Sequence, residues 1–166
     1  AIAGARGGKV LLPESARAKF AARPELARFA PSIEWAPDRG AALARASVAV
    51  IAVPPDEQPG IVDECLRHPG IGAIVLEKPV APTPARARDL LASIAVSGQR
   101  CRVAYTLVET PWADDLLARE APATEGPLAI EWSFTAHHFA KDIDTWKRHH
   151  AQGGGALRFG PLMLGA

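Results

Sequence analysis

The sequence predicts an α/β fold, a doubly wound parallel sheet followed by the beginning of an α+β domain with an open antiparallel sheet. Short apolar, β-branched runs alternate with helical stretches through the first two thirds of the chain, the pattern of a parallel sheet with crossover helices. Proline, glycine or a capping residue stands at most junctions. Beyond Gly126 the period changes to two: Leu128, Ile130, Trp132 and Phe134 alternate with Ala129, Glu131, Ser133 and Thr135. That is the mark of an antiparallel strand with one face exposed.

Each element has its own signal. Residues 1–5 read as a strand and residues 32–35 as the next, followed by a short helix at 38–45. The continuous run at 47–53 suits a central parallel strand buried on both faces, and Pro54-Pro55 close it abruptly. Asp56 is placed to cap the following helix, whose apolar face is Ile61, Val62, Cys65 and Leu66, and Pro69-Gly70 stop it. Residues 73–76 form the next buried strand, which runs into Glu77-Lys78-Pro79. Thr83 caps a helix with Pro84 at its first position, where the missing N–H is no loss. Leu90, Leu91 and Ile94 are its apolar stripe, Gly98 its end, and residues 101–106 the last strand of the series. A helix at 112–119 then bridges to the alternating strand, dividing the chain into a domain of residues 1–108 and the start of a second at 109–166.

Composition narrows the function classes. Of 166 residues, 48% are hydrophobic and 22% charged, and the net charge is +1. This is the balance of soluble globular proteins, with no electrostatic case for nucleic acid or an anionic membrane surface. Only Cys65 and Cys101 carry thiols, too few for a disulfide framework, so a reducing, cytoplasmic setting is the default. No apolar run approaches the about 20 residues of a membrane span.

In open parallel sheets, ligands bind beyond the carboxyl ends of the strands. Three such ends carry chemistry here: Val53-Pro54-Pro55, Glu77-Lys78-Pro79 and Tyr105-Thr106. In a parallel sheet all three lie along one edge. Pro54-Pro55 reads either as a plain strand stop or as a rigid wall against a cofactor ring. Lys78 is wedged between a buried strand and a proline that biases it toward an extended backbone. Its side chain is therefore aimed, and a partly desolvated ammonium there polarises a carbonyl or alcohol oxygen and assists proton transfer. The plainer alternative is a solvated lysine. Tyr105 reads first as a core tyrosine and second as a group facing substrate.

The frame of residues 49–91 is a strand ending in a proline turn, a helix, a strand ending in Glu77-Lys78-Pro79, and a further helix. It resembles the glucose–fructose oxidoreductase/inositol dehydrogenase (Gfo/Idh/MocA) family. Residues 144–157, with Trp146-Lys147-Arg148 ahead of Gly153-Gly154-Gly155, resemble that family's segment before its glycine run. The resemblance implies a Rossmann-like domain binding NAD or NADP. It implies hydride transfer between nicotinamide C4 and a sugar, cyclitol or related carbonyl compound. Lys78 would lie by nicotinamide and substrate, with Glu77 and Pro79 shaping its turn. Val53, Pro54 and Pro55 would lie beside the nicotinamide ribose, and the Trp146-Lys147-Arg148 segment near the substrate side, with Trp146 and Arg148 as its candidate contacts. It also implies a homo-oligomer formed through the open sheet.

Two departures stand out. The Gly-x-Gly-x-x-Gly phosphate loop is absent. Gly4-Ala5-Arg6-Gly7-Gly8 is either a degenerate form of it or, as the spacing to residues 32–35 favours, the loop after a second strand at 1–5, with the first strand preceding Ala1. Arg6 and Lys9 then sit where the adenosine ribose is read, which favours the 2′-phosphate of NADP over NAD. The glycine run also leads to no aspartate and histidine. Both departures would equally fit a non-catalytic ligand-binding or scaffold member of the same fold. Four of the five histidines form the pairs His137-His138 and His149-His150. Neighbours on a strand face opposite ways, so no metal site is expected. His137 or His138 is a candidate proton carrier near Lys78, since imidazole titrates near neutrality.

Overall fold

The computed structural model describes residues 8–105, 110, 111, 114 and 137–155. Strand β1 (Val10–Pro13) pairs in parallel with β2 (Ile33–Ala36), from Val10↔Ile33 to Pro13↔Ala36. Pro13 has no N–H to continue the ladder, and a 3-10 turn at Glu14–Ala16 leads into α1 (Arg17–Ala21). This helix covers Trp35: the Phe20 ring meets it edge-on at 5.8 Å, and the Arg17 guanidinium lies 4.5 Å over it. The strand expected at residues 1–5 lies outside the described residues, and the partner of β2 is Val10–Pro13 instead. Val10-Leu11-Leu12 is the stronger β-run, since bulky side chains fit a pleated surface better than alanine and glycine do.

Helix α2 (Arg39–Arg45) starts at Asp38, whose carboxylate accepts the Ala41 N–H at 2.7 Å, and it buries Ala42 and Leu43. It packs on β1 and β2. The second sheet has the spatial order β3 (Val48–Ile51), β4 (Ala73–Glu77), β5 (Arg100–Ala104), all parallel. Its crossovers are α3 (Gln58–Leu66) and α4 (Pro84–Ser97). Val62 and Cys65 of α3 and Leu90 and Ile94 of α4 join Ala49, Ile51, Ile74 and Leu76 in one apolar cluster. Burying a side chain such as Ile74 or Leu76 contributes about 1.5–3 kcal/mol, and both have 0% exposure. In the doubly wound strand order 3-2-1-4-5-6, β2-β1 and β3-β4-β5 correspond to the two wings. The strand between them in that order is not among the described residues.

Local expectations fare unevenly. Helix α4 begins and ends as read: Thr83 Oγ1 accepts the Arg86 N–H at 3.3 Å, and Gly98 closes the helix at φ 75°. Leu91, placed in its stripe, is 39% exposed. Strand β3 is covered on one face only, since α3 and α4 lie over Ala49 and Ile51 while Val48 and Val50 are 50% and 68% exposed. Asp56 does not cap α3. Glu57 holds the cap position without a side-chain bond, and the preceding turn is closed by backbone, with the Glu57 and Gln58 N–H groups donating to the Pro54 carbonyl at 3.0 and 3.3 Å. His137 and His138 open a single helical turn, α5 (His137–Ala140), rather than lying on a strand; the Lys141 N–H closes it on the His137 carbonyl at 2.9 Å. The strand at 128–135 and the divide at 108/109 lie outside the described residues, as does the helix at 112–119 apart from Asp114, whose N–H bonds to the Thr110 carbonyl at 3.3 Å. No described helix is long and apolar enough to cross a membrane.

Candidate active site

Ile51 pairs with Leu76 and Glu77 with Ala104 in parallel register, so the residues after these strands leave the sheet along one edge. Val53-Pro54-Pro55, Glu77-Lys78-Pro79 and Tyr105 therefore share a rim. Val53, Pro54, Glu77, Lys78 and Tyr105 are half-buried, and Pro55 and Pro79 are buried. The Lys78–Pro79 peptide bond is cis.

The Lys78 turn is held from two sides. The Lys78 N–H donates to the Glu77 carboxylate at 3.1 Å. The Gln58 side-chain amide donates to the carbonyls of Glu77 and Pro79 at 3.0 and 2.7 Å. Gln58 is 0% exposed at the start of α3. Sequence reasoning missed it, because a glutamine opening a helix reads as a solvated residue. Burial holds the Lys78 ammonium below the ordinary lysine range; Glu77 opposes the shift, and the charge of Lys147 adds to it.

Lys147 reaches the rim because residues 145–155 dock there. Thr145 Oγ1 caps the 3-10 turn Trp146–Arg148 by accepting the Lys147 N–H at 3.2 Å. Gly153, at φ 92°, lies against the proline turns, where a Cβ would come within 3.1 Å of Pro82 Cα and 3.5 Å of the Pro55 ring. A Cβ on Gly154 would stand 2.3 Å from the Trp146 carbonyl oxygen and 2.5 Å from that of Lys147. The Gly155 N–H donates to the Lys147 carbonyl at 2.8 Å. The glycine run thus lets one backbone approach another, and Pro55 is a wall against Gly153, leaving Val53 and Pro54 as the more open part of that turn.

Other candidates are placed as follows. Trp146 is half-buried, with the Lys147 ammonium 6.0 Å over its ring. Arg148 pairs with Asp142 at 2.6 Å and lies 5.3 Å over the Phe139 ring, so it braces the segment. His137 is exposed and His138 buried. Burial first, then the charges of Lys147, Arg148 and His137, push the His138 imidazole below its usual range. The contact of His149 with Asp144 at 2.5 Å was not anticipated. Among the described residues no three metal-ligating side chains come together.

Arg6 lies outside the described residues. Lys9 precedes β1, at the opposite end from the strand tips, and its ammonium donates to the Pro31 carbonyl at 2.9 Å. The residue leaving the carboxyl end of β1 is Glu14, bound to Arg17 at 2.5 and 3.0 Å and held below the usual carboxylate range mainly by that hydrogen bond.

Parallel strands joined by crossover helices, with their carboxyl ends on one open edge, are the architecture of ligand-binding open α/β sheets. The chain belongs to the Gfo/Idh/MocA family, described as an oxidoreductase family with an NAD-binding Rossmann fold, whose model matches residues 8–105. Two solved structures resemble it. An NAD-binding oxidoreductase from Klebsiella pneumoniae is 19% identical over 68% of this chain and 30% of that one, with a TM-score of 0.51. A structure described as an oxidoreductase from Bacteroides fragilis NCTC 9343 is 15% identical over 67% and 31%, with a TM-score of 0.49. The chain therefore spans under a third of either structure's length. No curated protein matches it.

Proposed function

We propose that the protein is an NAD-dependent oxidoreductase acting between nicotinamide and a sugar, cyclitol or related carbonyl or alcohol substrate, with Lys78 as the proton-transferring group. The observation that carries this reading is a lysine of depressed pKa, fixed on the β4 tip between the tips of β3 and β5. The described residues fit the nicotinamide end of a dinucleotide: Val53 and Pro54 form a stiff, half-buried turn, and all three tips open to one side. The bound dinucleotide supplies or takes up the hydride. In the reducing direction the Lys78 ammonium donates a hydrogen bond, then its proton, to the carbonyl oxygen. In the oxidising direction the neutral amine takes the hydroxyl proton while the C–H hydrogen departs with its electron pair. A lowered lysine pKa makes proton release, and so the neutral amine, easier than for an ordinary lysine. His138, the buried member of its pair, is the second proton carrier in this reading; Tyr105 neighbours Lys78 on the rim.

NAD is favoured over NADP because Lys9, one of the two basic residues that argued for a 2′-phosphate, precedes β1 at the end away from the strand tips. The carboxyl end of that strand presents an ionised Glu14, and a carboxylate there accepts ribose hydroxyls and repels phosphate.

Lys78→Ala in the full-length protein is expected to lower turnover on the order of a hundredfold or more. NADH affinity, read by fluorescence titration, should change little. Unaltered turnover would remove Lys78 from the mechanism.

A further inference from the structure

We infer that Gln58 is a positioning residue for Lys78, a clamp that locks the β4 tip to the β3 turn. The inference rests on the catalytic reading of Lys78 and deepens it. A side-chain amide has two N–H groups, and Gln58 gives both to one tripeptide, to the carbonyls on either side of Lys78. The Glu77 carbonyl belongs to the same peptide unit as the Lys78 N–H. That unit is therefore held at one end by Gln58 and at the other by the Glu77 carboxylate, which fixes the direction in which the Lys78 side chain leaves the backbone. The Gln58 backbone N–H bonds to the Pro54 carbonyl at 3.3 Å, so one residue ties both turns.

Gln58 is also a poor choice as filler. Its Oε1 is buried and accepts no hydrogen bond among the described residues, a penalty that methionine, of similar length, would not carry. The side chain is explained by its two donors.

The test follows Lys78 itself in the full-length protein. Lysines are reductively methylated with ¹³C-formaldehyde, and the Lys78 resonance is identified by its loss in Lys78→Arg. Its titration midpoint is then read by NMR. Glu77 and Lys147 face Lys78 in both proteins, so their influence is common to the comparison. Gln58→Met removes both donors. The midpoint is expected to rise toward that of an ordinary lysine as the ammonium loses its fixed, half-buried place. Turnover should fall while NADH binding persists. Gln58→Asn, one methylene too short to reach both carbonyls, should behave alike. A midpoint that does not move in either variant overturns the clamp, as does failure of both variants to fold, which would make Gln58 a support of the framework. Retained turnover in Lys78→Ala would instead sink the catalytic reading, so the two failures are distinct.

Discussion

Lys78 carries a positive charge into a half-buried place beside a second cation, and its pH behaviour follows. Its folded pKa lies below that of an unfolded lysine. At neutral pH both states are charged, and the folded state bears the full desolvation cost. As pH rises through the folded pKa the native protein sheds its proton first, and stability is regained up to about pH 10.4, the unfolded value. Lys78→Met keeps the buried stem and deletes the charge. It is expected to raise urea-unfolding stability at pH 7, with the gain shrinking toward pH 10; destabilisation at pH 7 would contradict the assignment. Glu14→Gln is expected to weaken NADH binding relative to NADPH, measured by paired fluorescence titrations, and an unchanged ratio would detach Glu14 from the ribose. Lys78 was legible because its neighbours Glu77 and Pro79 are adjacent in sequence. Gln58 was not, because its partners lie 19 and 21 positions away and no local pattern announces them. Lys147 was read only as the middle of the Trp146–Arg148 segment, since only the docked segment shows whose charge reaches Lys78.

Elements were legible where their signals are local. Thr83, Pro84 and Gly98 define α4 within a few positions of its ends. β3 and β4 announce themselves as branched apolar runs, but such a run does not say which face is covered, and β3 turned out covered on one. Strand β1 was not read at all, because its apolar run is only three residues long before Pro13; the strand expected at 1–5 lies outside the described residues. The segment at 145–155 was read by resemblance alone; its physical reason is the close approach of Gly154 to the Trp146 and Lys147 carbonyls. Gly154→Ala is therefore expected to displace Lys147 from the rim and lower turnover on the order of tenfold or more, the scale of a small misplacement at a reacting centre. Because the segment lies outside the β3–β4–β5 cluster, the thermal midpoint should move little. Equal activity would mean that the segment's position has no part in the reaction.

The parallel register of β3, β4 and β5 delivers three tips to one edge, and the alternation of strand and helix foretold it. The two parallel sheets, β1-β2 and β3-β4-β5, stand in a chain whose family is described as having an NAD-binding Rossmann fold, the fold in which dinucleotides bind at strand tips. The most direct trial is a crystal structure of the full-length protein with NADH bound. The nicotinamide ring should lie against the Val53–Pro54 turn, its C4 facing the Lys78 ammonium, with the adenosine ribose at Glu14. A dinucleotide seated away from the strand tips, or a nicotinamide with Lys78 turned from it, would contradict the account.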